Sequence, residues 1–271
     1  EILIALWGIE TNFGKHVGKM DIISSLATLS FDKRRRNFFS SQLLTLLKLV
    51  DKKHDISNES FPYMACGEIT VCDGVAARLF RISFSGELAY EIAVPTRYGD
   101  AMIRTLMDAG KEFEVIPYGT EALGVMRIEK GHAAGNELNG QTTARDLGLG
   151  RMVSKSADCI GNILSERPAL NEEGGKMLMG FKPMNNLHNL TAGAHFVAKN
   201  KEVTTKNDEG WMSSVAYSPT LGCSIGLGFI KRGAERIGEV VRAVNPLQNE
   251  EVEVEIVSPH FVDPKGERLR V

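Results

Sequence analysis

Glycine is distributed unevenly along the chain, and this constrains the fold more than any other feature of the sequence. Only three of the 27 glycines fall within residues 1–54. The charge changes at the same place, because residues 1–54 contain nine Lys and Arg against five Asp and Glu, while the whole chain has a net charge of −2. Glycine weakens helices and favours turns. The sequence therefore predicts a short helical segment over residues 1–55, followed by a turn-rich mixture of helices and strands.

One amphipathic helix is predicted inside this first segment, over residues 37–50. Its apolar residues recur at helical spacing and would share one face. They are Phe39, Leu43, Leu46, Leu47 and Val50.

A hairpin followed by two helices is predicted after residue 55. Polar and apolar residues alternate over Ala76–Ser83 and Leu88–Pro95, as they do in paired strands, and Ser85-Gly86-Glu87 between them is typical of a hairpin turn. Apolar residues at helical spacing then indicate helices over Thr96–Ala109 and Thr120–Lys130.

The last third of the chain is predicted to consist of short strands separated by glycine or Asn-Pro turns. They are Met177–Phe181, Ala194–Ala198, Ile225–Ile230, Glu239–Ala243 and Glu251–Val257. Such a series is typical of a small antiparallel barrel or a sandwich. The expected fold class is α+β, with domains at residues 1–55, 56–172 and 173–271.

Composition excludes several classes of protein. With 32 basic and 34 acidic residues, the chain is not expected to bind nucleic acid. No run of 18 apolar residues occurs, so no membrane span is expected. Four cysteines lie far apart without a C-x-x-C pair, which argues against a metal site and favours a reducing, cytoplasmic compartment.

Glu10 is the candidate catalytic acid of the first segment. It follows an apolar run, and burial among apolar groups would raise its pKa, as a general acid that cleaves a glycosidic bond requires. An exposed glutamate at a helix end is the alternative. A single carboxylate does not decide between them.

Residues 1–52 resemble the membrane-bound lytic murein transglycosylase B family. The resemblance rests on W-G-I-E-T-N-F-G-K, S-S-L-A-T-L-S-F-D and F-F-S-S-Q-L. It implies that Glu10 is the sole acid/base in the non-hydrolytic cleavage of peptidoglycan. The family's downstream G-Y-G-Q-F-M-P-like motif has no counterpart here, so the segment is expected to be an inactive remnant or fusion product.

Glu91 is the candidate ligand-binding carboxylate of the second segment. Strand alternation places Glu91 on one face with Ala89 and Ala93, opposite to Tyr90 and Ile92. A carboxylate among small neighbours can accept two parallel N–H bonds from a ligand. The alternative is a structural glutamate in an ion pair.

A second resemblance covers residues 67–271. It rests on R-I-S-F-S-G-E-L-A-Y-E-I-A-V-P, I-P-Y-G-T-E-A-L-G-V-M-R-I-E-K-G, D-L-G-L-G-R-M-V-S-K and S-S-V-A-Y-S-P-T-L-G-C-S-I-G-L-G-F-I. These motifs resemble the aminomethyltransferase (glycine-cleavage T-protein) family, in particular the folate-binding part of sarcosine oxidase alpha subunits and dimethylglycine oxidase.

This resemblance implies a tetrahydrofolate cofactor and three residues that bind it. Glu91 would hold the pterin ring, with Tyr90 beside it in the same motif. Arg127 would contact the ligand or pair internally with Glu129 or Glu91.

The resemblance also implies a module for one-carbon transfer that works with a flavin-bearing sarcosine oxidase subunit. The catalytic aspartate of complete relatives belongs to a half of the folate domain that has no counterpart here, so weak or no activity is expected from the chain alone. Whether it is an enzyme stays open. The alternatives are a lytic transglycosylase fragment that uses Glu10 and a non-catalytic fusion or docking protein.

Overall fold

The computed structural model describes residues 54–154, 156–157 and 161–270. Both the helix predicted over 37–50 and Glu10 lie outside these residues. The described part forms two compact units. The first contains the residues up to Met126 together with those from Asp263 onward, and the second contains Arg127–Val262.

A three-stranded antiparallel sheet lies in the first unit. Its strands are β1 (Cys66–Val71), β2 (Val75–Phe80) and β3 (Glu91–Ala93), in the order β1-β2-β3. Burial alternates along β2, where Ala77 and Leu79 are buried and their neighbours are more exposed. One face of the sheet therefore faces the core, as the alternating sequence predicts.

The helix α1 (Gly99–Gly110) covers this core face of the sheet, with Met102 and Leu106 buried. A short 3-10 turn at Thr96–Tyr98 precedes it, so the predicted helix is confirmed with a slightly later start. The next helix, α2 (Thr120–Lys130), has the predicted bounds. It ends at Gly131, whose φ of +78° is left-handed and favours glycine.

The predicted hairpin between β2 and β3 is wrong in its geometry. Strand β3 has three residues in place of the predicted eight, and the register pairs Phe80 with Glu91 directly. The ten residues between them form an irregular, largely buried loop in place of a turn at Ser85-Gly86-Glu87. Alternation over 88–90 is broken because Leu88, Ala89 and Tyr90 are all buried, which an edge strand with one exposed face would not allow.

The second unit contains the short helix α3 (Asn162–Ser165) and a closed antiparallel barrel. Around the barrel the order is β4-β7-β6-β5-β8-β9. The strands are β4 (Lys176–Pro183), β5 (His195–Ala198), β6 (Asp208–Ser218), β7 (Cys223–Lys231), β8 (Val240–Asn245) and β9 (Glu250–Val257). The α+β class and the C-terminal barrel are thus confirmed.

Two strands, β1 and β6, were not predicted from the sequence. The longest strand of the barrel, β6, pairs with both β5 and β7. Its alternation is interrupted because a bulge lies between Met212 and Ser214, where one residue has no partner on β7. Because two serines follow each other at this bulge, the alternation of polar and apolar residues that predicts a strand is lost.

Two further properties follow from the described residues. No helix among them is long and apolar enough to cross a lipid bilayer. Within the same part of the chain, no three His, Cys, Asp or Glu side chains are grouped so that they could hold a metal ion.

Candidate functional site

Glu91 lies at the start of β3 and points away from the core of the first unit. The next residue, Ile92, is buried among the core residues, and Ala93 is exposed. Glu91 itself is half-buried, which is less than the burial expected from its alanine neighbours. Its carboxylate makes no hydrogen bond or ion pair with any residue that the structure describes. The carboxylate keeps its acceptor atoms available, and Ala93 shares its face, but Ala89, which was predicted to share it, lies in the buried loop before β3.

Tyr90 faces the opposite way and is part of the core. Only 2% of its surface is exposed, and its hydroxyl donates to the backbone carbonyl of Ile56 at 3.4 Å. Burial raises the pKa of Tyr90, and the positive charge of Arg81 opposes this shift. Tyr90 therefore anchors the chain just before β3, and its role as a folate contact stays a prediction.

The loop before Glu91 is held by buried polar groups. Arg81 is 1% exposed and donates to the carbonyl of Phe61 at 2.8 Å. The hydroxyl of Ser83 accepts hydrogen bonds from the backbone N–H groups of Gly86 and Glu87 at 3.0 and 3.1 Å. These bonds satisfy backbone groups that a strand ladder would otherwise satisfy, and so they give the loop a defined path to β3.

The Glu87 carboxylate also holds this loop in place, through an ion pair with Arg268. It accepts a hydrogen bond from the Arg268 guanidinium at 3.1 Å, and both residues belong to the first unit. Glu87 is 5% exposed, so this ion pair is shielded from water on the side of the carboxylate. The sequence reasoning treated Glu87 as a turn residue and missed this role.

Arg127 lies near the end of α2 and is occupied by partners within the second unit. It donates to Glu137 at 3.0 Å, to the hydroxyl of Ser214 at 2.7 Å and to the carbonyl of His132 at 3.3 Å. The family resemblance implied Glu129 or Glu91 as its internal partner. The structure corrects this to Glu137, ten residues further along the chain. A ligand contact by Arg127 stays a prediction.

Glu137 is the centre of this buried network. It is fully buried and accepts hydrogen bonds from Ser213 at 2.5 Å, Ser214 at 2.7 Å and the backbone N–H of Ala134 at 2.9 Å. Burial would raise the pKa of Glu137, but these hydrogen bonds and the charge of Arg127 together hold the pKa below its usual value. The carboxylate is thus ionised and satisfied by its donors.

The bulge in β6 makes this network possible. Because one residue is inserted between Met212 and Ser214, both serine hydroxyls reach the same oxygen of Glu137. The adjacent Ser-Ser pair was the signal in the sequence, but nothing in the sequence shows which carboxylate it faces.

Glu129 has a different partner from the one considered in the sequence analysis. It is 2% exposed and accepts a hydrogen bond from the hydroxyl of Ser218 at 2.6 Å. Its backbone carbonyl accepts from the N–H of Val262 at 2.9 Å. Two separate serine–glutamate contacts therefore join the end of α2 and the loop after it to β6.

Family models match most of the chain. Residues 42–157 match the GCVT N-terminal domain, and residues 176–263 match the glycine cleavage T-protein C-terminal barrel domain. The chain belongs to the glycine cleavage T-protein family. Residues 1–65 also match the transglycosylase SLT domain, so the predicted resemblance of the first segment is confirmed as well.

Curated relatives of this family place the chain near sarcosine oxidase. It is 42% identical over 230 residues to sarcosine oxidase subunit alpha of Rhizobium meliloti (strain 1021), covering 84% of this chain and 23% of the relative. Against sarcosine oxidase subunit alpha of Corynebacterium sp. (strain P-1), identity is 36%, with coverage of 91% and 25%. The chain thus spans about a quarter of the length of these relatives.

More distant similarity extends to aminomethyltransferases. The protein of that name from Halothermothrix orenii is 27% identical over 79% of this chain and 58% of its own length. The crystal structure of aminomethyltransferase T of the glycine cleavage system from Bartonella henselae superposes with a TM-score of 0.59 at 22% identity. It covers 69% of this chain and 50% of that one, and it supports the fold.

Proposed function

We propose that the chain is a tetrahydrofolate-binding module for one-carbon transfer, related to the sarcosine oxidase alpha subunit. The observation that carries this proposal is the half-buried carboxylate of Glu91 on the outward face of the sheet. A carboxylate that lacks a cationic partner among the described residues is available to a ligand that brings its own donors.

The pterin ring of tetrahydrofolate offers such donors. Its ring amide N–H and its exocyclic amino group lie side by side, and a carboxylate can accept both in parallel. Bonds to an ionised acceptor are shorter and stronger than bonds between neutral groups. The N–H edge of the ring therefore fits Glu91, and the ring would extend away from β3.

Tyr90 acts indirectly in this proposal, and Arg127 has a structural role in the second unit. Tyr90 fixes the backbone before Glu91 through its burial and its bond to Ile56. Arg127 fixes the loop after α2 through Glu137. Tyr90 is therefore a positioning residue for Glu91, whereas the contacts shown for Arg127 belong to the second unit.

Titration calorimetry with a reduced folate tests the proposal. We expect saturable binding with one site per chain, and we expect the Glu91→Gln variant to bind at least about tenfold more weakly, because Gln replaces one charged acceptor oxygen with a donor. No saturable binding by the unaltered chain below millimolar concentration would refute the proposal.

The matched control is Glu68→Gln. Glu68 is an exposed carboxylate on the outward face of the same sheet, two positions from the row that contains Glu91. Its removal changes the same net charge, so an equal loss of affinity in both variants would point to a nonspecific effect of charge.

We propose further that the isolated chain binds folate but does not catalyse one-carbon transfer, and that it docks on a flavin-bearing subunit. The relatives are alpha subunits of sarcosine oxidase, and in this proposal a flavin-bearing subunit oxidises the amine. Co-purification from cells that express both proteins tests this. A flavin absorbance spectrum in the purified complex is expected, and its absence would refute the docking.

A second function is favoured by the transglycosylase match to residues 1–65. In this alternative, Glu10 is the acid/base that cleaves peptidoglycan. Zymography on murein tests it directly. A cleared band that is lost in Glu10→Gln would establish the activity, and no band from the unaltered chain would refute it.

A further inference from the structure

Phe80 is the direct cross-strand neighbour of Glu91. The register of β2 and β3 pairs their Cα atoms, and in an antiparallel sheet residues directly opposite each other project from the same face. The next pair, Leu79 and Ile92, lies on the core face and is buried. Phe80 and Glu91 therefore stand side by side on the outward face.

The aromatic ring of Phe80 lies outside the core cluster that the described residues of the first unit form. Phe80 is half-buried and is not among the apolar residues that pack in or against the core cluster. On its other side the register places Cys66, so one row across the sheet reads Cys66, Phe80, Glu91. A large apolar side chain on the outward face, next to a carboxylate without a partner in the described structure, is available to a ligand that reaches this face.

The Glu91 carboxylate by itself cannot select a ligand. Any group with two parallel N–H donors, such as a guanidinium, an amidine or an aminopyrimidine edge, can donate to both of its oxygens. Selection of a large flat heterocycle requires a second contact whose strength grows with the area of the ring that it covers. An aromatic side chain directly opposite on the neighbouring strand, with its Cβ about 5 Å from that of the glutamate, can provide such a contact.

We propose that Phe80 is the specificity-determining residue of the site: its ring forms a platform on which the planar ring held by Glu91 stacks. This inference rests on the proposed function and names the selectivity of that same site. A heterocycle stacks on an aromatic side chain through its planar π-face, as nucleic-acid bases do, and this contact does not depend on the hydrogen-bonding groups at the edge of the ring. Phe80 therefore selects for flatness and area, and Glu91 selects for the donor edge.

The test compares Phe80→Leu with Phe80→Tyr, using 5-formyltetrahydrofolate in titration calorimetry. Leu keeps an apolar side chain without a π-face, and we expect it to weaken binding roughly tenfold. Tyr keeps the ring, and we expect affinity within about twofold of the original. Equal affinity of Phe80→Leu and the unaltered chain would overturn the inference.

Two controls separate stacking from a loss of folding. Thr70→Ala changes another outward-facing residue of the sheet, and we expect its affinity to stay unchanged. In the unaltered chain, nuclear Overhauser contacts between the Phe80 ring protons and the C7 methylene of the pterin are expected. Their absence in a saturated complex would overturn the inference even if Phe80→Leu fails to fold.

The outcomes also distinguish this inference from the proposed function. If the unaltered chain does not bind the folate, both fail. A different pattern separates them: the unaltered chain binds the folate, Glu91→Gln weakens the binding and Phe80→Leu does not change it. In that case the proposed function holds and the role of Phe80 is refuted.

Discussion

At the scale of single residues, the most consequential side chain in the second unit is Glu137. It is fully buried, and three hydrogen bonds and the Arg127 guanidinium satisfy its charge. Removing one partner of a buried ion pair leaves the other charge without compensation, and this strongly lowers the free energy of unfolding. Replacing both partners by apolar side chains has a much smaller effect. The network therefore makes the second unit intolerant of change at either partner.

The Glu137→Gln variant tests this directly. Because Gln is neutral and nearly isosteric, the variant keeps the packing but leaves the Arg127 charge uncompensated. We expect the free energy of unfolding at neutral pH to fall by about 3 kcal/mol. Urea denaturation measures it, with Glu173→Gln, at an exposed glutamate, as the matched control. A change as small as that of the control would contradict the role assigned to Glu137.

The effect of Glu137→Gln on the free energy of unfolding should depend on pH. The pKa of Glu137 is lower in the folded protein than its ordinary value of 4.5. Its contribution is therefore fully present above about pH 4.5 and is lost as the pH falls through the folded-state pKa. The stability difference between the original and Glu137→Gln should shrink below that pH. A difference that grows on acidification would refute the charge argument.

At the scale of elements, the barrel depends on close approach between β6 and β7. Gly210 lies at the start of β6 with φ of +156°, and it pairs with Ile230. A Cβ at Gly210 would lie 1.8 Å from the carbonyl oxygen of Phe229, which is shorter than any non-bonded contact allows. The strand can therefore enter the barrel only with glycine at this position.

The Gly210→Ala variant should accordingly destabilise the barrel. We expect a loss of more than about 2 kcal/mol, because the methyl group forces backbone shifts in both strands. Thermal denaturation followed by circular dichroism measures this. Gly161→Ala is the control, since a Cβ there meets no atom within 4 Å. Similar melting temperatures for both variants would contradict the close approach.

Elements with a strong periodic pattern were predictable. The bounds of α2 and the existence of five barrel strands followed from spacing alone. Among the strands, β6, which was missed, and β3, which is shorter than predicted, lie where pattern and packing disagree. At the bulge in β6 an extra residue breaks the alternation, and before β3 a buried loop imitates a strand. In both places contacts with residues far along the chain take part, since Arg81 donates to the carbonyl of Phe61 and Asn136 donates to the carbonyl of Ser213. A local pattern does not contain those contacts.

At the scale of the whole molecule, a ligand that binds only the folded chain must stabilise it. At a reduced folate concentration of about 100 times its dissociation constant, the gain is roughly 2.7 kcal/mol. For a chain of this size, we expect a rise in Tm of about 5 °C or more. Differential scanning calorimetry across a series of folate concentrations measures it. An equal rise in Glu91→Gln would show that the folate acts at another site.

The sequence by itself determined the family, the α+β class, the C-terminal barrel and the outward direction of Glu91. These follow from local periodicity and from motifs, both of which depend on neighbours a few residues away. Only the tertiary structure decided the partners: Glu137 for Arg127, Ser218 for Glu129, and Phe80 beside Glu91. Such pairs are joined by strand register and by a bulge, and a shift of one residue in either would exchange the partners without changing the pattern.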